Sequence, residues 1–132
     1  MENLSHSVAN GFQWKAQLLS ILMALFLVLD GTMKLFRVPA AMDATEKLGY
    51  PESVVPRLGV LLLICTLLYL IPRTSTLGAI LLTAYLGGAV ASHLRLGAMS
   101  QAAFAASVGA LIWVGAWLRG DTIRQIFPFL KS

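Results

Sequence analysis

Charged residues are scarce in this chain of 132 residues. Asp, Glu, Lys and Arg make up only 12% of it, hydrophobic residues make up 58%, and the mean hydropathy is +0.77. Soluble domains carry roughly 25% charged residues, so the composition excludes an ordinary water-soluble fold. Residues 74–92 and 96–118 contain neither a charged residue nor a histidine. Because about 20 apolar residues suffice to cross a bilayer, we expect an integral membrane protein.

Cysteine and histidine are nearly missing too. Cys65 is the only cysteine, which excludes an internal disulfide, a Cys-x-x-Cys pair and an iron–sulfur site. It lies in an apolar run, where we expect a small buried residue. With only His6 and His93, one chain cannot supply a haem held between two intramembrane histidines, and a zinc site of ordinary ligand number is not expected.

The basic residues stand singly at the ends of apolar runs. The net charge is +4, but a nucleic-acid surface needs Lys and Arg clustered on one face. The expected partner is therefore the lipid bilayer and not a nucleic acid.

The apolar segments predict an all-α, integral membrane four-helix bundle that forms a single domain over residues 1–132. The four membrane helices are predicted at about 16–35, 52–71, 76–94 and 101–118. A secretory signal peptide is the alternative for the first, because Val38-Pro39-Ala40 resembles a cleavage site, but Lys34 and Arg37 disfavour it. A short tail helix is expected at 122–127.

A short helix is also predicted between the first and second membrane helices. Pro39 suits a first helical position, and Gly49 suits the residue just past a helix end. Met42, Thr45 and Leu48 would share one face. This helix is expected to lie on the membrane interface or to cover the mouth of the bundle.

The distribution of basic residues bears on orientation. Four crossings put both termini and the turn at 72–76 on one side. That side carries Lys15, Arg73, Arg119, Arg124 and Lys131, and the other carries Arg37, Lys47, Arg57 and Arg95. Five basic residues against four favour an orientation with both termini inside. We expect the membrane to be a bacterial cytoplasmic one.

Five polar residues form the candidate ligand site. Asp30 and Lys34 are four residues apart and can pair on one helix face. In the predicted topology His93, Arg95 and Arg57 lie toward the same end. Charges inside a bilayer are costly, so they are the first functional candidates. The structural alternative is a self-neutralising ion pair with arginines that extend to the interface and a histidine that caps its helix.

Glycine is paired at Gly87-Gly88, roughly level with Asp30. Ala84 to Gly88 and Gly87 to Ala91 have the small-xxx-small spacing that lets membrane helices approach closely. We therefore expect both glycines to be helix-packing positions, or to leave a cavity beside Asp30.

The order of several motifs is familiar. Gly31-Thr-Met-Lys34-Leu35, Leu48-Gly-Tyr-Pro51, Leu70-Ile-Pro-Arg-Thr74 and the segment at 77–95 resemble the DoxX-like family of small four-helix membrane proteins. The resemblance covers nearly the whole chain. The family positions carried over are Lys34, Pro72, Arg73, Gly87, Gly88, His93 and Arg95, and no agreed catalytic residue comes with them.

The resemblance implies a fold more than an activity. Relatives are associated with quinone-linked, thiol-linked and oxidative-stress systems, so we expect the membrane subunit of a redox system with a membrane or peripheral redox partner. Its candidate cofactor is a quinone, whose carbonyl could exchange a proton with His93. Two alternatives stay open: a non-catalytic interaction or assembly protein, including a homo-oligomer, and a small lipid or solute carrier.

Overall fold

A computed structural model describes residues 1–120 of the chain. These residues form α1 (Glu2–Leu35), α2 (Pro39–Lys47), a 3-10 turn (Glu52–Val54), α3 (Val55–Leu70), α4 (Ser75–Arg95) and α5 (Met99–Arg119). The tail helix expected at 122–127 lies outside the described residues.

Four of the helices are long and apolar enough to cross a membrane: α1, α3 with its preceding 3-10 turn, α4 and α5. Large apolar side chains such as Leu25, Ile64, Ile80 and Phe104 point outward and are more than half exposed. A soluble monomer does not expose apolar surface on this scale, whereas a bilayer solvates it. The predicted all-α membrane bundle is therefore confirmed.

Helix α1 is longer than predicted. It begins at Glu2 and not near residue 16, because residues 2–15 contain no proline and nothing stops the helix from extending toward the N-terminus. Residues 1–15 are exposed, and burial begins at Ala16. The predicted boundary thus marks where the bundle starts and not where the helix starts. At 1.5 Å per residue the 34 residues span about 51 Å, well beyond a hydrocarbon core of about 30 Å.

The other boundaries agree with the predictions to within about three residues. The second membrane helix begins as the 3-10 turn Glu52–Val54 and continues as α3. It stops at Leu70 because Ile71 precedes Pro72 and takes an extended conformation. Cys65 is 2% exposed in the core of the bundle, as expected.

The four long helices form an up-down bundle in which α1 packs against α3 and α5, and α4 packs against the same two. One close crossing joins α1 and α3 at two glycines. A Cβ atom on Gly59 would lie 2.6 Å from the carbonyl oxygen of Gly31, and one on Gly31 would lie 2.9 Å from Leu63 Cγ. Only glycine permits this approach of the two backbones.

Tyr69 anchors the other end of the bundle. Its side chain is fully buried, and its hydroxyl donates to the Ile112 carbonyl of α5 at 3.0 Å and lies 3.3 Å from Ser20 Oγ of α1. Gly78 of α4 packs directly on the Tyr69 backbone. One tyrosine of α3 therefore contacts the three other long helices.

Helix α2 lies across the end where α1 and α4 finish. It begins with Pro39 in the first turn, and Gly49 follows its end with φ +90, as the sequence predicts. Met42 and Thr45 are buried and Leu48 is half-buried. Of the two expected placements, the packing supports a helix that covers the mouth of the bundle.

Candidate functional site

A cavity of about 430 Å³ lies at the end of the bundle that α2 covers. Its walls are mostly apolar and come from all four long helices, including Leu27, Leu86 and Val108. Its polar lining includes Asp30, Lys34, Thr45, Tyr50, Tyr85 and His93. Small-molecule sites in proteins have this size and this mixture of apolar walls with a few polar groups.

Asp30 and Lys34 form the predicted ion pair. Lys34 Nζ lies 2.5 Å from Asp30 Oδ2, and the lysine side chain is 14% exposed against 37% for the aspartate. The spacing of four residues puts both on one face of α1, so the pair forms within the helix. It neutralises two charges that would each be costly in the bilayer, and the ammonium keeps donor capacity because it carries three hydrogens.

Tyr85 of α4 completes a polar cluster across the bundle. Lys34 Nζ donates to its hydroxyl oxygen at 3.3 Å, and the same ammonium lies 5.8 Å from the centre of its ring. An ammonium only donates, so the tyrosine oxygen accepts here and its own hydrogen is left to donate. Within residues 1–120 that hydroxyl makes no second hydrogen bond. The arrangement therefore provides a tyrosine donor held in place by a lysine.

His93 lines the cavity two turns beyond Tyr85 along α4. It is half-buried, and its imidazole forms no hydrogen bond to any residue of the described part of the chain. The sequence predicts Asp30, Lys34 and His93 at one end of the bundle, and in the structure all three line one cavity. Nowhere in residues 1–120 do three or more His, Cys, Asp or Glu side chains lie close enough to hold a metal ion.

Arg95 does not line the cavity but holds the segment that closes it. Its Nη2 donates to the Leu48 carbonyl just after α2 at 2.5 Å, and a side chain on Gly49 would collide with the same atom. Two residues further on, the Tyr50 hydroxyl lies 2.9 Å from Ser92 Oγ. The end of α4 thus fixes the segment after α2 by two polar contacts, and Arg95 is a positioning residue.

Arg57 and the glycine pair lie apart from the polar cluster. Arg57 is exposed in the first turn of α3 and is not among the residues that line the cavity. Gly87 and Gly88 are exposed, and a Cβ atom on either would meet nothing within 4 Å. Neither glycine packs against a helix of the described monomer, although Gly88 borders the cavity. Close helix packing occurs instead at Gly31 and Gly59 and where Gly78 meets Tyr69, because within residues 1–120 no other helix lies against Gly87 and Gly88.

Sequence reasoning missed Tyr85 and Tyr50 as site residues. A signal for Tyr85 was available, since it stands two residues before Gly87, which the predicted topology places level with Asp30. Tyr50 carries no such signal, because its position depends on how the segment after α2 folds back onto α4.

Four apolar helices with a partly polar cavity between them define a small integral membrane protein. Its sequence matches the family model described as the DoxX-like family over residues 18–115, from the middle of α1 to the last turns of α5. The chain belongs to this family, as the motifs suggested. No curated protein and no solved structure matches it significantly.

Proposed function

We propose that the protein binds a lipid-soluble molecule with a polar oxygen-bearing headgroup in the cavity beneath α2, and that this molecule is a quinone. The observation that carries the proposal is the convergence of Lys34, Tyr85 and His93 on one end of an otherwise apolar cavity. A quinone carbonyl accepts hydrogen bonds, and the Tyr85 hydroxyl has a hydrogen to donate. The apolar walls fit the ring and the start of its tail.

The role assigned to the residues is binding and proton exchange. Tyr85 and the Lys34 ammonium donate to the carbonyl oxygen, and Asp30 neutralises the lysine so that no net charge is left in the cavity. His93 is assigned the proton that the headgroup takes up when the redox partner reduces it and releases when it is oxidised again. In this proposal the protein is the membrane subunit of a quinone- or thiol-linked redox system in a bacterial cytoplasmic membrane, with its termini inside.

The test is a binding titration of the full chain in lipid nanodiscs with a short-chain ubiquinone. Tyr85→Phe removes only the hydroxyl, and the loss of one hydrogen bond of about 0.5–1.5 kcal/mol weakens binding about 2- to 10-fold. Ser107→Ala is the control, because it removes an exposed hydroxyl of α5 that does not line the cavity and only donates to the Ala103 carbonyl of its own helix. Absence of quinone binding by the native protein, or equal affinities for native protein and Tyr85→Phe, would overturn the proposal.

A second candidate function is assembly with another membrane helix. Ala84, Gly87, Gly88 and Ala91 are exposed on α4, and small residues of this spacing let helices approach closely. Ala84 and Gly88 also border the cavity beneath α2. A cysteine at position 84 that forms no crosslink to a second copy or to another protein in native membranes would count against it. The alternative of a small carrier has no comparable observation in its favour.

A further inference from the structure

A second cavity, of about 470 Å³, lies at the opposite end of the bundle from α2. It is formed where α3 ends, α4 begins and α5 finishes. Two arginines, Arg73 and Arg119, line it together with Ser75, Thr76 and Gln17. Its polar lining sets it apart from the first cavity, and none of the proposed quinone-site residues belongs to it.

Arg119 is held rigidly at this cavity. Its Nη2 donates to the Tyr69 carbonyl at 3.2 Å and to Ser75 Oγ at 2.9 Å, and its guanidinium carbon lies 4.5 Å from the centre of the Tyr69 ring. Its Nε is buried and has no hydrogen-bond partner among residues 1–120. A buried N–H without an acceptor is costly and uncommon. The guanidinium therefore has a donor left that a ligand oxygen could satisfy.

Neither arginine has a counter-ion in the described chain. Among residues 1–120 the one ion pair is Asp30–Lys34, at the other end of the bundle. Arg73 makes no hydrogen bond within those residues. The N-terminus of α4 adds to the positive potential, because no side chain caps it at Thr74.

We propose that this second cavity binds a phosphoryl group, held by Arg73 and Arg119. Guanidinium groups bind phosphate oxygens with paired hydrogen bonds. Basic pockets between membrane helices at the bilayer surface bind anionic headgroups. The cavity lies at the ends of membrane-spanning helices, where phospholipid phosphates are found, and a free phosphate is the other source of the same chemistry.

The test uses the full chain purified in detergent, with native mass spectrometry to count retained phosphatidylglycerol and phosphatidylcholine. We expect selective retention of phosphatidylglycerol by the native protein and at least a fivefold loss in Arg73→Gln. Arg57→Gln is the matched control, because it removes an exposed arginine at the other end of the bundle. Arg119→Gln is expected to retain less phosphatidylglycerol as well, but it also breaks the contacts to Tyr69 and Ser75. Arg73→Gln is therefore the variant that tests the proposal.

A parallel thermal-stability series with inorganic phosphate separates the two sources. If inorganic phosphate raises the melting temperature of the native protein but not of Arg73→Gln, the site binds a free phosphoryl ligand. If only phosphatidylglycerol raises it, the site binds a lipid headgroup. If neither probe distinguishes Arg73→Gln from the native protein, the proposal is wrong.

Discussion

The crossing of α1 and α3 gives a sharp test of the packing, with Gly59→Ala as the perturbation. The added Cβ would lie 2.6 Å from the Gly31 carbonyl oxygen and 2.7 Å from the Leu35 amide nitrogen. Both are backbone atoms that cannot rotate away, so the helices must separate by about 0.8 Å to restore ordinary contact. Overpacking costs about 1–3 kcal/mol, and alanine returns at most about 1 kcal/mol of helix propensity. We expect a net loss of about 1–2 kcal/mol in the free energy of unfolding.

Cys65 provides the assay for this prediction. It is the only cysteine and is 2% exposed, so a thiol-reactive dye in detergent reports on opening of the bundle as temperature rises. Gly59→Ala should react at a temperature lower by about 3 °C or more. Gly87→Ala is the control, because its Cβ meets nothing within 4 Å, and it should be neutral or slightly stabilising. Equal melting of the Gly59 variant and the native protein, or an equal loss in both variants, would refute the reasoning.

Two further predictions concern the polar contacts. Asp30→Asn leaves the Lys34 ammonium, which is 14% exposed, without its counter-ion. In the same Cys65 assay we expect the free energy of unfolding to fall by about 2–3 kcal/mol. This is less than the cost at a fully buried pair, because Asp30 is itself partly exposed. The double variant with Lys34→Met should recover much of that loss, and a double variant less stable than the single one would contradict this account. Gly49→Ala forces an L side chain into φ +90 and against Arg95 Nη2, so amide hydrogen exchange in residues 39–50 should be faster than in the native protein. The increase should exceed that in Arg95→Ala, which loses the hydrogen bond but adds no backbone strain. Equal exchange rates in Gly49→Ala and the native protein would contradict this prediction.

Much of the fold follows from the sequence because local rules decide it. Long apolar stretches with few or no charges set the four membrane helices, and Pro39 and Gly49 set the bounds of α2. The spacing of Asp30 and Lys34 is enough to predict their pairing, since residues four apart in a helix are neighbours.

The parts that could not be predicted depend on which helix faces meet. Gly31 and Gly59 are single glycines in different helices, and nothing in either segment indicates that they face each other. Gly87 and Gly88 carry the stronger motif, yet both are exposed and neither meets another helix within residues 1–120. Tyr85 likewise becomes a site residue only through the packing that brings it within 3.3 Å of Lys34.

The Asp30–Lys34 pair has a consequence for energetics across the membrane. With both groups ionised their charges cancel, so an uncharged headgroup can enter or leave the cavity without moving net charge through the electric field. Moving one elementary charge across the full potential would cost about 2.3 kcal/mol per 100 mV. Occupancy by a neutral ligand should therefore be independent of membrane voltage. Occupancy by an ionised ligand would change with voltage, in a direction set by the sign of its charge and the side from which it enters.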